Sequence, residues 1–232
     1  IIDLSDSAEY TSMIYEREAP IAAAGIRVLT ACSALSTVTA MAVQSSGIEQ
    51  PQWVRTYLMP ASRYTANPAT IQSFLAGVEG GARTFRFPDP IGNRSGLRVR
   101  SVDAVTIPRE FPSIRTAELF VDTGLTSANL LLRFAFARSL AERFQEAALN
   151  IARRAGATSG ILGYEIASTL RLRQVVYAGA KSYMLAVVPA TLAALAIVNG
   201  RFADRGLIPP SRHVIASEFF DAIAAEGVSS RA

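Results

Sequence analysis

The chain has 232 residues, half of them hydrophobic, which is enough to bury one large core or two small ones. Its net charge of +4 comes almost entirely from scattered arginines, since Lys181 is the only lysine, so no nucleic-acid surface of interleaved cations and aromatics is expected. Cys32 is the single cysteine, which excludes an internal disulfide and a cysteine-based metal site. With no signal peptide visible, a cytoplasmic location is the simplest expectation.

In chain order, residues 1–6 read as a short apolar strand that closes in Ser5 and Asp6. A helical stretch follows over 8–24, with Gly25 where a helix stop belongs, and 26–32 reads as a second strand entering a Ser/Thr-rich loop. Strand, helix and strand with short joints predict a βαβ unit. Parallel sheets place ligands at the carboxyl ends of such strands, here Ser5-Asp6-Ser7 and Cys32-Ser33-Ala34. The two loops are therefore expected to line one cleft.

Residues 37–46 read as a helix and 52–60 as a strand. Asn67 as cap and Pro68 at the first helical position start a helix that runs to Gly80-Gly81. A β-rich middle is predicted at 84–87, 97–107 and 117–122, then a long helical region at 126–156. Two closing strands, 161–167 and 170–177, precede helices at 186–199 and 217–225. The fold class expected is α/β. The helix at 186–199 is apolar on nearly every face, so burial in a core or at a homodimer interface is expected rather than a bilayer span.

Three segments carry a resemblance: Asp3-Leu4-Ser5-Asp6, the run Ala24-Gly25-Ile26-Arg27-Val28-Leu29, and Thr30 through Thr37. They resemble the last Rossmann strands of the saccharopine dehydrogenase-like oxidoreductases. In that family a Y-L-D-L-(A/S)-D strand leads through a helix to A-G-V-x-V-L-x-G-x-S-x-x-P-G, followed by a second, mixed α/β domain. The likeness continues in patches through Arg83 to Pro90 and Val188-Pro189-Ala190. Two departures stand out: the family's Pro-Gly is Ser36-Thr37 here, and no glycine fingerprint for a dinucleotide phosphate opens a helix anywhere. The chain begins at Ile1 rather than Met, and the missing fingerprint is expected upstream of it.

The resemblance implies the end of a Rossmann-type parallel sheet in residues 1–50 and a substrate or dimerisation domain with a mixed sheet in 51–232. It implies hydride transfer with NADP or NAD on a small substrate, amino-acid-derived compounds among the candidates, by a homodimer. Ser5, Asp6, Ser7, Cys32 and Ser33 would then bind cofactor, and Ser36, Thr37 and Arg86 substrate. No residue is assigned to catalysis and none to a metal. The alternative is a non-catalytic dimerisation or scaffolding module that keeps the fold.

Plainer roles compete at each position. Asp6 or Ser7 is a natural helix cap, and Asp3 and Asp6, at odd spacing on a strand, should face opposite sides of the sheet. Cys32 has no partner histidine nearby and reads as a small buried hydrophobe rather than a nucleophile. His213 reads as a hydrogen-bonded loop residue, with proton transfer the sharper option. Arg83, Arg86, Arg98 and Arg100 read as a solvated row on one sheet face, or as partners for substrate carboxylates.

Overall fold

A computed structural model describes residues 1–231 of the protein. It opens with helices α1 (Ala8–Tyr15) and α2 (Glu18–Ala23), strand β1 (Arg27–Val28) and helix α3 (Thr37–Ser45). The single helix expected over 8–24 is therefore two. Pro20 has no N–H to offer the Glu16 carbonyl, and the chain breaks at Glu16 and Arg17. Strand β2 (Trp53–Met59), helices α4 (Ser62–Thr65) and α5 (Pro68–Gly77), and the hairpin β3 (Val78–Arg86) and β4 (Asn93–Val99) come next. Asn67 caps α5 as its sequence predicts, accepting the Thr70 amide at 3.0 Å.

The strand expected over 97–107 is a correction. Its second half is helix α6 (Asp103–Glu110). The alternation of apolar and polar residues imitates a strand there, but the Ser101 hydroxyl accepts the Asp103 amide at 3.1 Å and turns the chain into the helix. Strand β5 (Thr116–Val121) follows, then helices α7 (Thr126–Leu131), α8 (Ala135–Arg143) and α9 (Gln145–Ala155) in place of one long helix. The Arg138 guanidinium donates to the Leu132 and Arg133 carbonyls, satisfying acceptors freed at the first break. Strands β6 (Gly160–Ala167) and β7 (Leu172–Gly179), helix α10 (Met184–Val198), strand β8 (Gly206–Leu207), helix α11 (Ala216–Ala225) and strand β9 (Ser229–Arg231) complete the chain.

The strands form two sheets. Seven of them make a mixed sheet in the order β3-β4-β5-β2-β6-β7-β9, in which only the β2–β5 pair is parallel. The second sheet is small and parallel, pairing β1 with β8. Ile2 adds a third parallel segment, because the Asp3 amide donates to the Leu29 carbonyl at 2.9 Å and the Leu29 amide to that of Ile1 at 3.0 Å. Residues 1–3 pair for a shorter stretch than the strand expected over 1–6. The partner of β1 on its other side lies about 180 residues further on, so the small sheet is not confined to residues 1–50.

The mixed sheet buries both faces. Val54, Leu162, Tyr164, Ile166 and Tyr177 on one side pack with residues of α3, α10 and α11. On the other side Tyr57, Phe85, Phe87 and Phe120 form an aromatic cluster with centroid separations of 5.4–5.6 Å. Phe85 and Phe87 come from the β3 edge, yet Phe87 lies over Gly163 of β6. Gln174 of β7 donates to the Arg86 carbonyl at 2.9 Å, and Arg231 of β9 to that of Asp89 at 2.7 Å. The hairpin thus curls across the sheet towards its far edge. A register shift between Val78 and Ala82, at Gly80 and Gly81 with φ near +80°, supplies the bend.

Candidate functional site

The carboxyl ends of the small parallel sheet open on a cleft of about 680 Å³. Ser5, Asp6, Ser7 and Glu9 form one rim, and Leu35 contributes from the second loop. Leu58, Leu119 and Val121 of the mixed sheet and Ile71 and Phe74 of α5 form apolar walls. The expected meeting of the two loops is observed: the Ser33 hydroxyl donates to Asp6 at 3.0 Å.

The rim residues divide their work. The Ser7 hydroxyl accepts the Tyr10 amide at 3.1 Å and so caps α1, which leaves Asp6 free of capping. Asp6 is open to the cleft, but the protein enclosing it pushes its carboxyl above the usual range, against the lowering effect of the Ser33 bond. Asp3 accepts Ser5 N–H at 2.9 Å and the Thr30 hydroxyl at 3.0 Å. Asp3 and Asp6 therefore both lie against the loop after β1 instead of on opposite sheet faces, because the chain turns at Ser5 and is no longer a strand. Arg100 is the one cation among the described lining residues, and Glu9 holds it at 3.0 Å.

Four of the expected ligand contacts are withdrawn from the cleft. Cys32 is fully buried, and burial pushes its thiol up to about 12, so it is an inert core group. Ser33 is buried behind Asp6. Ser36 and Thr37 are buried as well, with their polar atoms committed elsewhere. Ser36 has φ 64° and ψ −70°, and the Thr37 amide donates to the Leu35 carbonyl at 2.9 Å, which makes Ser36 the centre of a γ-turn. A non-glycine residue there costs about 1–3 kcal/mol. Asp103 offsets that cost by accepting the Ser36 amide at 2.5 Å and the Thr39 hydroxyl at 2.9 Å, while the Ser36 hydroxyl meets Thr106 at 2.8 Å. Asp103 is fully buried, and burial raises its carboxyl to about 6.

Thr37 is held by His213. The Ile208 carbonyl, 3.1 Å from Nε2, can only accept, so Nε2 carries the proton and Nδ1 accepts the Thr37 hydroxyl at 2.8 Å. Burial depresses this histidine to about 4, and it is neutral at physiological pH. It is a structural residue, as its plainer reading has it, but a deeply buried one rather than one in an open loop.

Arg86 lies elsewhere. It lines a separate groove with Arg83, Glu165 and Gln174 that shares no residue with the cleft. Arg83 is paired with Glu165 at 3.0 Å, Arg98 with Glu79 and Glu118 at 3.2 and 3.3 Å, and Arg100 with Glu9. Three of the four arginines in the row are thus committed to ion pairs, and Arg86 alone joins none among the described residues. Among the described residues no cluster of His, Cys, Asp or Glu could hold a metal ion.

Sequence reasoning missed Asp103, the lining by α5, and the Glu9–Arg100 pair across the rim. Asn67-Pro68 announces α5 but says nothing of the wall it builds. Fold and cleft together define an α/β protein with a seven-stranded mixed sheet, a two-stranded parallel sheet and a small-molecule-sized cavity where they meet. Compared with known protein-family models and with curated proteins, the chain matches none.

Proposed function

We propose that the protein is an NAD(P)-dependent oxidoreductase of saccharopine dehydrogenase type, in which the cleft holds the nicotinamide end of the cofactor beside a small substrate. The observation that carries this reading is the Asp6–Ser33 joint, which sets a polar rim at the carboxyl ends of parallel segments over apolar walls. Ser5 and Asp6 offer hydrogen-bonding groups suited to a ribose and a carboxamide, and Leu58, Leu119 and Phe74 offer a dry wall for a flat ring. The cofactor would supply the hydride chemistry, while these residues orient the reactants and exclude water. No glycine-rich cradle for a pyrophosphate is present in the sequence, so the fit covers the nicotinamide end only.

The homodimer belongs to this proposal. Val187, Thr191, Leu195 and Val198 form a solvent-facing stripe on α10, while Leu185, Val188 and Ala193 are buried. Leu195→Arg should shift the protein from dimer to monomer in gel filtration, and a monomeric wild type would remove the dimer from the account.

A second reading is a non-catalytic ligand-binding or dimerisation module. Burial of Cys32, Ser36, Thr37 and His213 favours it, since no acid–base pair beyond Asp6 and Glu9 reaches the cleft. Fluorescence titration with NADPH separates the two. The oxidoreductase reading expects saturable binding that Asp6→Ala weakens about tenfold, in line with loss of a charge-assisted hydrogen bond. Absence of binding, or binding indifferent to Asp6→Ala, would leave the module reading.

A further inference from the structure

We propose that the outward face of α7 and α8 docks on an anionic lipid bilayer. Leu130, Leu131, Phe134, Phe136, Leu140 and Phe144 fall within fifteen residues, and each is between 53% and 70% exposed. Neither α8 nor α9 contains a buried residue. The apolar groups are contiguous. Phe134 sits in the short joint between α7 and α8, its amide donating to the Leu131 carbonyl at 3.0 Å. The Phe134 and Phe136 rings lie 6.0 Å apart, and Phe136, Leu140 and Phe144 recur at every fourth position. Apolar surface of this extent rarely stays in water without a purpose.

The charge around this face selects its occupant. Residues 130–154 carry five arginines (133, 138, 143, 153 and 154) against two glutamates, an excess of three in a chain whose net charge is +4. None of these seven joins an ion pair among the described residues, so the excess positive charge beside the apolar stripe is not neutralised within the chain. A second copy of the same face would bring like charges together. Although Phe134, Phe136 and Phe144 could stack on bases, aliphatic Leu130, Leu131 and Leu140 make up half of the exposed apolar groups and find a partner only in hydrocarbon. Helices with aromatic and leucine residues on one side and unpaired arginines around them lie in the interfacial plane of anionic membranes. Among the described residues no helix is long and apolar enough to cross a bilayer, so the contact is in-plane. α8 packs against α5 and α9, which line the cleft through Ile71, Phe74 and Ala152, so the docked face lies on the helices behind the cleft wall. This inference does not depend on the oxidoreductase reading.

Flotation of the protein with vesicles tests it. The protein should float with equimolar phosphatidylglycerol and phosphatidylcholine, stay down with phosphatidylcholine alone, and be released by high salt as screening sets in. Phe136→Glu with Leu140→Glu should weaken partitioning at least ~tenfold with an unchanged circular dichroism spectrum, because both side chains are already exposed. Arg133→Glu with Arg143→Glu should weaken it without altering the apolar stripe, and serves if the first variant misfolds. Failure of the wild type to float, or flotation unaffected by both variants, overturns the proposal. A dimer that the Phe136/Leu140 variant dissociates, without flotation, assigns the face to a second copy. Oligonucleotide binding lost in the arginine variant, again without flotation, assigns it to nucleic acid. Either result overturns it too.

Discussion

The Asp103 carboxylate accepts the amide of Ser36 at 2.5 Å, and this bond between a helix start and a loop 67 residues earlier holds the γ-turn that shapes the cleft's second rim. It is made in a site where burial raises the carboxyl from 3.8 to about 6. A raised carboxyl favours folding below its unfolded value, and that contribution is lost as pH rises through 6. The shift corresponds to about 3 kcal/mol. Asp103→Asn should therefore lose about 3 kcal/mol relative to wild type between pH 7 and pH 4, measured by urea unfolding at each pH. A difference that stays constant with pH would show that Asp103 does not titrate in this way.

His213 acts with the opposite sign in the same window. Its depressed value, from 6.5 to about 4, supports the fold above 6.5, and that support disappears as pH falls to 4. The two buried groups should nearly cancel in the wild type. His213→Gln, which can keep the donor to Ile208, should gain about 3 kcal/mol relative to wild type on going from pH 7 to pH 4. The same unfolding series checks it.

Gly163 sits under the Phe87 ring, and a Cβ built there would lie 2.6 Å from the ring edge. Gly163→Ala should push the β3–β4 hairpin away from β6 and destabilise the protein by about 1–3 kcal/mol, the usual range for overpacking. Near-UV circular dichroism, which reports the Tyr57 and Phe87 environment, should weaken with it. An unchanged melting temperature would argue against the curled hairpin.

Ser7 and Asp6 are neighbours with separable roles. Ser7→Ala should cost about 1 kcal/mol by loss of the α1 cap while leaving ligand binding close to wild type. Asp6→Ala should do the reverse, weakening ligand binding with little effect on stability. Equal stability losses in the two variants would mean that Asp6 is structural.

Local patterns carried much of the fold into the sequence. Asn67-Pro68 states the start of α5 directly, and the strands β2, β5, β6 and β7 stand out by composition. Long-range pairings did not show. Nothing near Arg27 announces that Gly206 and Leu207 complete its sheet, and nothing at Gly80-Gly81 states how far the hairpin will curl. The candidate site was half legible for the same reason. Ser5, Asp6 and Ser7 follow a parallel segment and do line the cleft, whereas Ser36 and Thr37 look like a ligand loop until Asp103 and His213, remote in sequence, draw them into the core. Alternating residues at 97–107 concealed Asp103 altogether, because a two-residue period does not reveal the Ser101 turn.

Amide chemical-shift mapping with NADPH tests the central claim most directly, since the cleft and the Arg83–Arg86 groove share no residue. The account predicts that the amides of Ser5, Asp6, Ser7, Leu35 and Gly77 move together on titration, and that Asp6→Ala moves the same titration to about tenfold higher NADPH. Shifts confined to Arg83, Arg86 and Gln174, or no shifts at all, would contradict it.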